Sequence, residues 1–181
     1  MTEEFERTYL VKTLPRNFSS NTTSKKTILY IVTKSDWGGA GRYVYDLAVA
    51  ALKQGYSPIV ACGGEGLLVR RLAEYGIPTR RIRSLERDIR VLKDIRSFFE
   101  IARIIRNTHP ALIHLNSSKA GGIGALAGRV CGTARIIFTV HGLPQYEARS
   151  WFSKKIIALF TWLTALLSHR VKKEKKNFIL N

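Results

Sequence analysis

The sequence predicts an α/β fold, a doubly wound parallel sheet of Rossmann-like type, and three observations predict it. From Lys26 onward, short β-branched runs alternate with longer segments of helical apolar spacing, the pattern of βαβ units. Several of the short runs are almost continuously apolar, as strands buried on both faces are. Gly55 and Gly76 each stand just after a helical stretch and before the next strand, where a left-handed residue commonly ends a helix.

The expected strands are 27–33, 58–62, 79–83, 111–115 and 135–140. The clearest intervening helix carries Ile95, Phe98, Phe99, Ala102 and Ile105 on one face, read as facing the core, with Arg96, Glu100, Arg103 and Arg106 around the rest. Asp94 suits its opening turn, and Asn107 with Pro110 beyond it supplies a stop. His109 near that helix end and His114 inside a strand read as structural. Right-handed crossovers send ligands of such a sheet to the carboxyl ends of its strands. The segments to inspect are therefore 35–41, 63–66, 116–122 and 141–146.

The chain has 181 residues, enough for one well-buried domain and too few for two. That domain is expected over 27–171, after a loose polar tail at 1–26 and before a charged end at 172–181. Thirty Lys and Arg against thirteen Asp and Glu give a net charge of +17, which favours contact with nucleic acid, an anionic membrane face or phosphorylated ligands. Nucleic acid is the weakest of these and is not expected as a partner, because the aromatics sit in apolar runs instead of alternating with Lys and Arg. Two isolated cysteines make no disulfide framework and fit a reducing cytoplasm. The mean hydropathy of -0.06 is that of a globular protein. The longest apolar stretch, 156–167, falls short of the roughly 20 residues that a spanning helix needs. With Trp151, Phe152, Lys154 and Lys155 it reads as a basic, aromatic helix of interfacial type, or as one buried against another domain.

Gly38, Gly39, Ala40 and Gly41 precede a helix expected to begin near Arg42, so unobstructed backbone N–H groups face whatever sits at its positive end. Phosphate suits that end; the alternative is that the glycines only let the helix pack close to the sheet. A dinucleotide fingerprint is incomplete, since Gly39, Gly41 and Val44 occupy its glycine places and 34–37 intervene after the strand. Glu65 alone imitates the ribose-binding acid. No G-K-S or G-K-T lysine is present.

Asn116, Ser117, Ser118 and Lys119 follow the fourth strand and suit a sugar or a phosphate; the alternative is a helix cap with Lys119 in solvent. His141, at the carboxyl end of the fifth strand with Gly142 beside it, is the best single catalytic candidate. No histidine pair has zincin spacing and no D-x-D occurs, so neither a metal nor another cofactor is expected.

Four features in this order resemble the N-terminal domain of a family-4 glycosyltransferase, a retaining class of GT-B architecture: Asp36 to Arg42 after the first strand, the 63–66 turn, the 116–122 segment, and Val140, His141, Gly142. The likeness spans roughly 26–170. It implies that Gly39, Ala40 and Gly41 approach the donor diphosphate or the acceptor, that Asn116 to Lys119 line the acceptor side, and that His141 lies near the transferred sugar. Many relatives have a histidine where this chain has Asn116. The partners implied are a nucleotide-sugar donor, a sugar or lipid-linked acceptor in polysaccharide biosynthesis, and a missing C-terminal domain carrying most of the nucleotide site and the paired glutamates. The charge run at 172–176 breaks the apolar pattern where a further strand is expected, which reads as a truncated gene product, inactive alone. The location expected is cytoplasmic, peripheral on the inner membrane face. A non-catalytic nucleotide- or phosphate-binding module is the alternative.

Overall fold

The computed structural model of the chain describes residues 25–86, 90–133, 135–140, 162, 164, 166–168 and 170–173. The expected polar tail lies outside them, apart from Lys25 and Lys26. Strands form at β1 (Thr27–Lys34), β2 (Ser57–Gly63), β3 (Thr79–Arg81), β4 (Leu112–Leu115), β5 (Ile136–Val140) and β6 (Arg170–Lys173). Helices follow the first four: α1 (Gly39–Lys53), α2 (Leu67–Ala73), α3 (Val91–Thr108) and α4 (Ser118–Val130). The strands make one sheet in the order β3-β2-β1-β4-β5-β6, and every neighbouring pair is parallel. The chain winds one way from β1 through β3 and the other from β4 onward, so the topological switch point falls between β1 and β4.

Side chains of β1 show why both faces are covered. Ile28, Tyr30 and Val32 point into one core with Val44, Leu47 and Ala48 of α1 and Leu68 and Leu72 of α2. Leu29 and Ile31 point into the other, with Ile101, Ala102 and Ile105 of α3 and Ala120, Ile123 and Ala127 of α4. A strand alternates its side chains, so an unbroken apolar run needs a helical layer on each face. The small residues of α4 let it lie close: a Cβ on Gly124 would come within 2.6 Å of Leu115 Cδ2.

Gly55 and Gly76 have φ of +83° and +65°, as helix-ending residues of left-handed conformation. His109 takes the same role after α3, with φ of 41° and its N–H donating to Ile105 O.

Three expectations are corrected. Helix α1 begins at Gly39, three residues before Arg42, because the Arg42 N–H donates to Gly38 O at 2.9 Å and so closes the first turn over the glycines themselves. Ile95 and Phe99 of α3 do not face the core; they are 51% and 65% exposed, while Phe98 is half-buried against it. The charge run also does not interrupt the sheet at Lys172, since Arg170–Lys173 is a sixth strand pairing with β5. β6 is an edge strand among the described residues, and edge strands tolerate lysine in their sequence, which conceals this one from a search for apolar runs.

Candidate crevice at the switch point

At the carboxyl end of β1 the pairing with β2 slips between Val32 and Lys34, leaving Thr33 out of register. The slip frees Thr33 for a contact on the other side: its Oγ1 lies 2.6 Å from Ser117 Oγ, at the start of α4. Bulges at strand ends re-aim side chains in this way. Ser117 occupies the N-cap of α4, yet its hydroxyl makes no bond to the helix, so the capping alternative does not hold for this serine.

Four helices start at this end of the sheet, and their free N–H groups are treated differently. Ser35 serves α2, accepting the Gly66 N–H on Oγ at 2.7 Å and the Leu68 N–H on its carbonyl at 3.0 Å. Asp94 serves α3, its Oδ2 accepting the Arg90 N–H at 3.2 Å. Helices α1 and α4, which flank the switch point, have neither a side-chain cap nor an acidic residue in the first turn. Each presents uncapped N–H groups and the positive end of its dipole.

The glycines before α1 divide by role. A Cβ on Gly41 would meet Asp36 O at 2.1 Å, so this glycine lets the helix pack close. A Cβ on Gly38 or Gly39 would meet nothing within 4 Å, and neither residue has positive φ. Those two leave open space beside the N–H groups, as a ligand cradle requires. Ala40 is half-buried. Arg42 is exposed, and its guanidinium carbon lies 5.9 Å from the centre of the Trp37 ring; that of Arg71 lies 5.4 Å from the same ring. Trp37 thus holds two cations beside the start of α1.

Asn116 is fully buried at the end of β4. Its Nδ2 donates to His114 O at 2.9 Å, while its Oδ1 is buried without a hydrogen-bond partner. His114 sits in the sheet as expected, its Nε2 2.8 Å from Thr139 Oγ1 and its ring tilted over Tyr30. Ser118 is half-buried. Lys119 is not in solvent: its Nζ lies 2.6 Å from Asp94 Oδ1, with both side chains about nine-tenths buried. The pair ties the first turn of α4 to that of α3. His141, and with it the 141–146 segment, lies outside the described residues.

Glu65 lies 2.5 Å from Arg81 Nη1, beside a cavity of about 220 Å³ lined also by Cys62, Gly64, Val69 and Thr79. Burial raises the Cys62 thiol to about 11, so it is neither a nucleophile nor a ligand at neutral pH. Among the described residues no three His, Cys, Asp or Glu side chains group as metal ligands. No described helix is long and apolar enough to cross a membrane.

The sequence model of Glycosyltransferase Family 4 matches residues 37–172, which include the α1 start, the α4 start and most of β6. The chain belongs to glycosyltransferase family 4. Over 80 residues, 44% of this chain and 20% of the relative, the family member is 30% identical to the UDP-Gal:alpha-D-GlcNAc-diphosphoundecaprenol alpha-1,3-galactosyltransferase of Escherichia coli. Among solved structures it resembles MurG of Acinetobacter baumannii, at 15% identity and a TM-score of 0.60 over 86% of this chain and 43% of that one. It also resembles Anabaena Alr3699/HepE in complex with UDP and glucose, at 19% identity and a TM-score of 0.60 over 81% and 37%. A UDP-N-acetylglucosamine 2-epimerase of Listeria monocytogenes matches at 14% identity and a TM-score of 0.62 over 85% and 40%. Transferase and epimerase structures share this Rossmann-like half of the GT-B fold, so the fold does not separate them; the family match does. The family-4 chain spans less than half the length of each of these relatives.

Three contacts that build the crevice escaped the sequence reading. Thr33 needs the strand register, Ser35 caps a helix 31 residues on, and Asp94 meets Lys119 from another helix. The Asp94 place in a first helical turn was legible; its partner was not.

Proposed function

We propose that this chain is the acceptor-side, N-terminal part of a glycosyltransferase moving a sugar from a nucleotide-sugar to a saccharide or lipid-linked acceptor. The observation that carries the proposal is the pair of uncapped helix starts, α1 and α4, joined across the switch point by Thr33 and Ser117. Positive helix ends stabilise the charge that builds on a departing diphosphate without a metal. Gly38 and Gly39 admit the phosphates, Arg42 adds charge at the rim, Ser117 and Ser118 offer hydroxyls, and His141 helps hold the sugar at the reacting centre. Lys119, committed to Asp94, acts by positioning Ser117 and Ser118.

The reading pairs this half with a second Rossmann-like half that binds most of the nucleotide, as relatives more than twice its length suggest. It places the work at the cytoplasmic membrane face, in line with the charge of +17 and with a relative whose named acceptor is a diphosphoundecaprenol. Labelled sugar transfer from UDP-sugars to a lipid-diphosphate acceptor tests it. The purified 181-residue chain is expected to bind without turnover; transfer above background by this chain alone contradicts the division of labour.

A further inference from the structure

The outward side of α3 carries an apolar stripe that none of the described residues covers. Val91, Ile95 and Phe99 follow one another at one-turn spacing with Leu92 beside them, and they are 71%, 51%, 65% and 78% exposed in that order. The helix already has a core face, made of Ile101, Ala102 and Ile105 with Phe98 half-buried, so the stripe is a second apolar surface. Single exposed hydrophobics need no explanation, but four together on one helix do.

Two exposed arginines edge the stripe. Arg96 stands one turn beyond Leu92 and Arg103 one turn beyond Phe99, both exposed. The nearby carboxylates are committed elsewhere. Asp94 holds Lys119, Glu86 holds Lys93, and Glu100 accepts the Arg83 N–H at 2.6 Å and the Ser84 hydroxyl at 2.9 Å. Among the described residues neither Arg96 nor Arg103 has an acidic partner.

We propose that this face of α3 docks on an anionic lipid bilayer, with Val91, Leu92, Ile95 and Phe99 entering the interface and Arg96 and Arg103 meeting the headgroups. The inference rests on the membrane part of the reading above and locates it. An apolar stripe edged by cations is the composition of a helix lying in a membrane surface. A second copy is a poorer occupant, because it would set arginine rims against each other on chains of charge +17. The first turn of α3 is held to that of α4 by Asp94 and Lys119, so docking keeps the crevice beside the lipid surface.

Co-sedimentation of the full 181-residue chain with phosphatidylcholine vesicles, with and without phosphatidylglycerol, tests this. The chain is expected to bind the anionic vesicles, with an affinity that falls as salt rises. Arg96→Gln with Arg103→Gln weakens binding about thirtyfold, and Leu92→Gln with Phe99→Gln about tenfold or more. Val130→Gln, at an exposed apolar position of α4, leaves it unchanged. Circular dichroism melts confirm that the variants fold. Wild-type affinity in either double variant overturns the α3 assignment while leaving membrane attachment standing. Equal binding to neutral vesicles, or none to either, overturns both. A dimer lost in the Leu92 and Phe99 variant, without vesicle binding, overturns the proposal in favour of a second copy.

Discussion

Thr33 Oγ1 and Ser117 Oγ lie 2.6 Å apart, and that hydrogen bond joins the carboxyl end of β1 to the start of α4 across the switch point. Thr33→Val and Ser117→Ala each remove one side of it. A double-mutant cycle in urea is expected to give a coupling of about 1 kcal/mol. A coupling within error of zero would mean that the hydroxyls do not hold the two loops together.

The two kinds of glycine before α1 predict opposite outcomes. Gly41→Ala places a methyl against Asp36 O, which is backbone and cannot step aside, so stability falls by about 1–3 kcal/mol. Gly38→Ala and Gly39→Ala enter open space and are expected to change stability by less than about 0.5 kcal/mol, measured by denaturant melts. Equal effects at all three positions would remove the distinction between packing and cradle.

Lys119 and Asp94 form a largely buried pair, so removing one partner is worse than removing both. Lys119→Met leaves the Asp94 carboxylate without its cation and is expected to cost about 3–5 kcal/mol. Lys119→Met with Asp94→Leu recovers much of that loss. The check is a comparison of the three unfolding midpoints; a double variant no better than the single one would show that the pair is not a unit.

Cys62 supplies a pH dependence. Its folded thiol is raised to about 11 from an ordinary value near 9, so folding favours the protonated form. That contribution is fully present below pH 9 and is lost as pH rises through 11, an effect of up to about 3 kcal/mol. Burial also raises Tyr56 and Tyr45, which add loss of the same sign above their usual range. Cys62→Ala removes only the thiol part, so the unfolding free energies of wild type and variant converge between pH 9 and 11. Parallel curves would contradict the buried-thiol account.

Much of the fold was legible because a doubly wound sheet writes itself as unbroken apolar strands and glycine-ended helices. The strand cores of β1, β2, β4 and β5 fall within a residue or two of their sequence limits, and Gly55 and Gly76 end helices as expected. Periodicity failed on α3 because that helix has apolar residues on two sides, and spacing alone does not say which side faces the sheet. It failed at β6 because an edge strand is free to carry lysine. In the crevice, Gly38 to Arg42 and Asn116 to Lys119 were legible as residue types at strand ends. The partners of Ser117 and Lys119 were not, since Thr33 is 84 residues from Ser117 and Asp94 belongs to a different helix.

The claim that phosphate enters between the starts of α1 and α4 is tested most directly by titrating the isotope-labelled chain with UDP and following backbone amide resonances. The largest shifts are expected at Gly38, Gly39, Ala40 and at Ser117 to Lys119, with at least about tenfold weaker binding in Gly39→Leu, whose side chain fills the open space. Shifts centred instead on the cavity at Cys62, Glu65 and Arg81, or unchanged affinity in Gly39→Leu, would contradict it.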